Sequence, residues 1–540
     1  MLRLFAFALA ISACFDSFSQ TWQWACQASG GGDDAGMAIA QDAGGNIYVA
    51  GYFSSATIIF GSTTLTNSGS RDLFIAKYTP SGALMWVRQV TGGFDEQITG
   101  IAITGASVYV TGSYKTTITF GGFTLNNPTG WEEIFIVKYD TNGNVIWARK
   151  ATGSKPDYSN TIAADASGNV YIAGYFYSDT LIFGTTQLLL SSQGSADSYF
   201  AKYDANGNVV WATKMSTGVM PKDLTVSPAG NIFMTGYFSH SNVTIAGISF
   251  SNPTGWDALF TIKISTSGNG VWGKSVDAVS LAMYPTGIVT DAAENVYVTG
   301  DYNNSSFNFA STTVTHVGAD DVFLLKYDAT GNEAWANSAS SNSSEYSNSI
   351  AIDPGGNIFI TGSFLMNGLT FGSYSISNAG AYDIFVAKYN SAGTVLSAFG
   401  SGGSGSEGVR DICVLGSAVV TTGAFSGSTV PFSSSILTNT QPGSNEMYVA
   451  KLGPTAGVQE EWATDDISIY PNPSAGQFSI IVTIPITGLE IRDCVGRVVR
   501  SVNLNSEQAE VKIGEVDNGV YFVRLRSEAG SLTRKIAVAK

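Results

Sequence analysis

The sequence predicts an all-β chain: a closed seven-bladed β-propeller followed by a small C-terminal β-sandwich. Three observations carry that prediction. A strand-like phrase ending in glycine recurs at Gly51, Gly112, Gly174, Gly236, Gly300, Gly362 and Gly423, so its steps are 61, 62, 62, 64, 62 and 61 residues. A second phrase, an acid followed by an apolar run and a lysine, keeps that spacing and places Lys77, Lys138, Lys202, Lys263, Lys326, Lys388 and Lys451. The seventh unit stops at Leu452 without a fourth strand, and the missing pattern stands at Thr21–Ala25, so the N-terminal strand is expected to close the last blade.

Residues 1–19 combine Arg3, an apolar run from Leu4 to Ile11 and small residues at Ser17 and Ser19, the pattern of a secretory signal peptide. The stretch Ile11 to Cys14 offers a lipoprotein-box alternative with Cys14 as the lipidated residue. No later segment is long and apolar enough for a transmembrane helix. Cys26, Cys413 and Cys494 would remain after cleavage, odd in number and far apart, which argues against a disulfide framework.

Within each unit of residues 20–452, short β-branched and aromatic runs are bounded by turn residues. In the first unit the strands are read at Met37–Gln41, Asn46–Phe53, Leu73–Tyr78 and Ala83–Gln89. The Asp-x-x-Gly-Asn runs at Asp42, Asp140, Asp165, Asp204, Asp328 and Asp353 are turns: Asp accepts backbone N–H groups and Gly supplies a positive φ. An additional hairpin, such as Thr57–Leu65, separates the second and third strands and lengthens the unit beyond a minimal blade. These repeats resemble the SBBP-type β-propeller repeats of secreted bacterial proteins, which implies a binding scaffold and transfers no catalytic residue.

A Gly/Pro/Glu linker spans 453–466, and the tail, 467–540, reads as short strands broken by Pro and Gly. It carries Tyr470, Pro471, Asn472 and Pro473, then Gly476, a turn from Asp493 to Gly496, a Gly519-to-Phe522 strand and a basic, apolar end at Lys540. In that order these residues resemble the type A C-terminal sorting domain of the Bacteroidetes type IX secretion system. The resemblance implies passage through the periplasm and recognition of the tail by the translocon and sortase. It also implies cleavage in or near 453–466, with release or attachment at the outer-membrane surface.

Twenty-seven Lys and Arg against forty-two Asp and Glu give a net charge of −15, which argues against a nucleic-acid or anionic-membrane partner. Residues repeated seven times belong to the architecture, so the strand-three lysines are expected to pack their stems and pair with turn aspartates. The strand-four tryptophans (Trp86, Trp147, Trp211, Trp272 and Trp335) are expected to wedge between blades.

Function is expected where the repeat is broken. Two Asn-Pro-Thr-Gly-Trp loops place Trp131 beside Glu132 and Trp256 beside Asp257, the candidate ligand-binding residues for a glycan or protein. His240 and His316, with Asp320 and Asp321, lack metal-ligand spacing, and no hydrolase, nucleotide or redox motif is present. The expectation is therefore a non-enzymatic adhesion or binding scaffold with no catalytic, cofactor or metal residue. A polysaccharide-active enzyme and a structural surface-layer component are the alternatives.

Overall fold

The computed structural model describes residues 20–454 except 254, 277–281, 304–305 and 366–367. Beyond these it describes 467–470, 474, 478–482, 486–493, 497–506, 509–513, 517, 519–527 and 530–538. The chain divides into two compact units, Thr21–Gly453 and a second that contains Pro454–Lys540.

In the first unit, seven antiparallel meanders of four strands follow one another. The first runs Asp34–Gln41, Ile47–Phe53, Asp72–Tyr78 and Leu84–Gly92 from the inside out. Each sheet is apolar on both faces because a neighbour covers each; all seven residues of Asp72–Tyr78 are buried. The innermost strands of the seven sheets are Asp34–Gln41, Gln97–Thr104, Asp157–Ala164, Val219–Val226, Met283–Thr290, Glu345–Ile352 and Glu407–Leu415. They touch in that order, and the seventh touches the first. The result is a propeller-like ring.

Closure is built from both chain ends. Gln20–Ala28 is the outer strand of the seventh sheet, beside Glu446–Pro454. Across the seam, Trp24 Nε1 and Lys451 Nζ both donate to Pro80 O, at 3.3 and 3.4 Å. The same two-donor arrangement recurs inside the ring: Lys77 and Trp86 donate to Thr141 O, and Lys138 and Trp147 to Ala205 O. Lys326 and Trp335 repeat it on Ser391 O. The lysines therefore do what their repetition predicts, with one refinement. Six of the seven ammoniums lie over an aromatic ring, as Lys77 does 4.9 Å from Tyr48, while Lys451 stands opposite Val420, and the usual acceptor is a turn carbonyl of the next sheet. Lys77, Lys263 and Lys388 additionally reach acids of the Asp42, Asp291–Asn295 and Asp353 turns.

The sevenfold glycine has a steric cause. In every innermost strand the pairing skips one residue, a β-bulge, for example between Gly36 and Ala38 and between Pro221 and Asp223. Beside the bulge, the carbonyl of the innermost strand crowds the second strand. A Cβ added at Gly51 would lie 2.1 Å from Ala35 O, and one at Gly236 2.2 Å from Met220 O. The bulge also corrects the strand read at Met37–Gln41, which begins at Asp34.

The added hairpins cover edges. Ile59, in the first hairpin, exchanges hydrogen bonds with Ser29 at the end of the closing strand, and Ile182 does so with Thr152. Each hairpin thus shields the outer strand of the preceding sheet. Cys26 and Cys413 are unpaired.

In the second unit, Ile467–Tyr470, Phe478–Val482 and Ala509–Ile513 form one antiparallel sheet. Val498–Ser506, Ile486–Asp493, Gly519–Ser527 and Gly530–Val538 form another. Tyr470 ends the first strand and Gly519 opens another, while the Asp493 turn closes through Arg497 N–H to Asp493 Oδ1 at 2.9 Å. Pro471, Asn472, Pro473, Gly476, Cys494, Gly496, Lys540, the leader 1–19 with Cys14, and most of the 453–466 linker lie outside the described residues.

Candidate functional site at the axial mouth

The Asp-x-x-Gly-Asn turns lie on one face of the ring; the strand beginnings and the loops after the hairpins lie on the other. Both tryptophan loops are on that second face and are built alike. Asn127 Oδ1 accepts from Thr129 N–H at 3.0 Å while its Nδ2 donates to Trp131 O; Asn252 likewise donates to Trp256 O. The asparagines are buried and the indoles project, 48% exposed at Trp131 and 50% at Trp256. The two tryptophans stand on the second and fourth sheets with the third between them, so they make no joint site.

The adjoining acids are structural ties. Glu132 interacts with Tyr158 of the next sheet and with Lys115 at 3.9 Å. Asp257 Oδ2 accepts from Tyr284 Oη at 3.3 Å, and Asp320 Oδ2 from Tyr346 Oη at 3.0 Å. Register also fixes which acids are equivalent. Phe238 pairs with Ala258, just as Phe53 pairs with Asp72, so Asp257 is the counterpart of Glu132 and Asp320 and lies one place before the strand-three acid.

At the axis the sevenfold bulge delivers one residue per sheet: Met37, Thr99, Asn160, Lys222, Thr286, Asn348 and Arg410. The backbone repeats while the side chain changes from each sheet to the next. Five of them, Met37, Thr99, Asn160, Lys222 and Arg410, line a cavity of about 650 Å³ together with Tyr52, Tyr175, Tyr237 and Arg71. A second cavity of about 490 Å³ shares Tyr52 and Arg410 and adds Asn348, Tyr346 and Tyr382. Volumes of this order suit small-molecule or saccharide ligands.

The mouth is cationic in an acidic chain. The Arg71 guanidinium lies 4.0 Å from the Tyr52 ring centroid, and Lys222 Nζ 5.4 Å from that of Tyr237. Burial pushes the Lys222 ammonium below its usual range, against the opposing charge of Asp301. Asp301 is itself pushed up to about 8 by burial and by Asp320, which favours its neutral form near pH 7. His316 Nε2 lies 3.0 Å from Ala319 O, and His240 lies beside Gly218 on another sheet. Among the described residues, no three His, Cys, Asp or Glu side chains gather as a metal site.

Sequence reasoning reached the rim and missed the mouth. The signal was present: Tyr52, Tyr175 and Tyr237 each follow the repeated glycine, while the bulge position changes chemistry in every unit.

Residues 468–539 match the family model described as the secretion system C-terminal sorting domain. The chain is 26% identical over 505 aligned residues to an uncharacterized WD repeat-containing protein of Acanthamoeba polyphaga mimivirus, covering 76% of this chain and 36% of that one. It therefore spans about a third of that relative's length. Among solved structures, the Pan2 WD40 domain of Neurospora crassa aligns at 10% identity with a TM-score of 0.41, covering 82% of this chain and 98% of that one. PorZ, a surface component of the type IX secretion system of Porphyromonas gingivalis, aligns at 11% identity with a TM-score of 0.32, covering 94% and 70%. No helix among the described residues is long and apolar enough to cross a membrane. The tail is a type IX sorting domain, which engages the secretion machinery and sends the chain to the cell surface or beyond.

Proposed function

We propose that this protein is a non-enzymatic binding scaffold: a closed seven-bladed β-propeller of the SBBP-repeat kind, exported behind a signal peptide and carrying a C-terminal sandwich for the type IX translocon and sortase. The observation that carries the reading is the bulge ring. One backbone device, repeated seven times, presents side chains of mixed chemistry, six of which line the two axial cavities. Rigid scaffolds with variable display positions are suited to recognition. Trp131 and Trp256, held out by buried asparagines, supply a second row of contacts at the rim.

The test is a binding screen of the full chain on immobilised glycans and extracellular-matrix proteins, with a Trp131→Ala/Trp256→Ala variant and an assay of sugar release alongside. Saturable binding without product release supports the reading. Release of reducing sugars, or binding to nothing in the panel, overturns it.

A further inference from the structure

We infer that the axial mouth takes an acidic saccharide, a sugar ring bearing a carboxylate; this deepens the binding-scaffold reading and rests on it. Arg71, Lys222 and Arg410 converge on the larger cavity, which no acid lines, in a chain whose net charge is −15, so the local sign opposes the global one; Arg410 also reaches the smaller cavity, where Glu407 joins the lining. Among the described residues none of the three is in an ion pair, and Arg71 Nε is buried with no hydrogen-bond partner. A carboxylate supplies what these groups lack, and a guanidinium can hold it with two parallel hydrogen bonds.

The remaining lining favours a sugar over a bare acid. Tyr52, Tyr175 and Tyr237 supply aromatic surface to the lining, against which the C–H side of a pyranose can pack beside the cations, and Tyr52 is common to both cavities. Asn160 Nδ2 is committed to Pro221 O at 2.7 Å, which leaves its carbonyl oxygen to accept from a ligand hydroxyl.

The experiment is calorimetric titration of the full chain with three probes: oligogalacturonate, neutral dextran oligomers and poly-glutamate. The variants are Lys222→Ala, Arg410→Ala and the Trp131→Ala/Trp256→Ala pair, each checked for an unchanged melting curve. The inference expects oligogalacturonate to bind best and to weaken at least about tenfold in each cation variant, as loss of a charge-assisted hydrogen bond does. Dextran binding as tightly, with no response to the cation variants, overturns the acidic ligand and leaves the scaffold reading standing. Equal binding of poly-glutamate replaces the saccharide with an acidic peptide. Loss confined to the tryptophan pair moves the site to the rim. No binding to any probe overturns the inference, and failure across the wider glycan and protein panel as well overturns the scaffold reading.

Discussion

Asp383, at the start of the third strand of the sixth sheet, and Glu407, which opens the innermost strand of the seventh, bring their carboxyls together across the junction. Ala379 N–H holds Asp383 Oδ2 at 2.6 Å and Gly403 N–H holds Glu407 Oε2 at 2.8 Å. The other two oxygens, Oδ1 and Oε1, are buried and have no hydrogen-bond donor among the described residues, an arrangement that favours a proton on one of the two groups. Neither acid is in an ion pair among the described residues. Acids also meet at Glu446/Asp34, Asp72/Glu96, Glu133/Asp157 and Asp321/Glu345. Where the strand-three acid is replaced by Ala258, the facing position becomes Met283, so both members of that pair are apolar. Where Asp197 faces Val219, Lys214 approaches it at 3.2 Å instead.

These pairs make stability fall as pH rises. Burial, with the Asp383 charge adding to it, pushes Glu407 up to about 7, and burial likewise raises Glu96, Asp157, Glu345 and Glu446 to about 7. Between the ordinary glutamate value and 7 the folded chain binds more protons than the unfolded one, so the stabilisation present at pH 4.5 is lost by about pH 7. The turn aspartates act oppositely. Burial raises Asp42, but hydrogen bonds from Asn46 and Tyr48 outweigh it and hold the carboxyl low, so that contribution is lost only in stronger acid. Thermal unfolding followed by circular dichroism is expected to peak near pH 5 and decline to pH 8. Asp383→Asn/Glu407→Gln is expected to gain about 1–3 kcal/mol at pH 8 and little at pH 5.

Gly236→Ala is expected to cost about 2–4 kcal/mol in urea unfolding, because the new Cβ would sit 2.2 Å from Met220 O beside the bulge. Gly247→Ala, where the added atom meets nothing within 4 Å, would bear only the strain of its φ of +83°, and is the control for that term.

Much of this was legible because repetition averages out chance. The glycine, lysine and tryptophan series each identified a packing requirement, and the structure supplies the partner: a bulged carbonyl, an aromatic face or a turn carbonyl. The mouth was hidden for the opposite reason. Met37, Asn160 and Arg410 share a backbone position but no chemistry, and the bulge that unites them leaves no mark on strand periodicity. Asp257 is easily mistaken for the strand-three acid of the fourth unit, because Ala258 holds that position and the acid stands one place earlier.

Trp24→Ala is expected to lower stability by about 2–3 kcal/mol, since the indole packs in the cluster that joins the seventh sheet to the first and donates to Pro80 O. Denaturant unfolding measures it. An equal effect from deleting residues 20–28 altogether would mean that the strand contributes nothing beyond this one side chain.

Trp131→Ala and Trp256→Ala are expected to leave stability within about 0.5 kcal/mol of the parent, because half of each indole is already in water and the loops are held by Asn127 and Asn252. A loss beyond 2 kcal/mol in a melting experiment would make both residues part of the packing instead of display groups.

The closing strand also gives the ring a front and a back. Trp24 is level with the Pro80 turn and Leu452 pairs with Val419 beside the Gly416 turn, so the chain enters near Gln20 and departs near Pro454 on the same side. That side is the one opposite the tyrosine-lined mouth. Both ends of the ring's chain therefore lie on the face away from the mouth, so where two strands begin and end decides which face of the ring is free of chain termini.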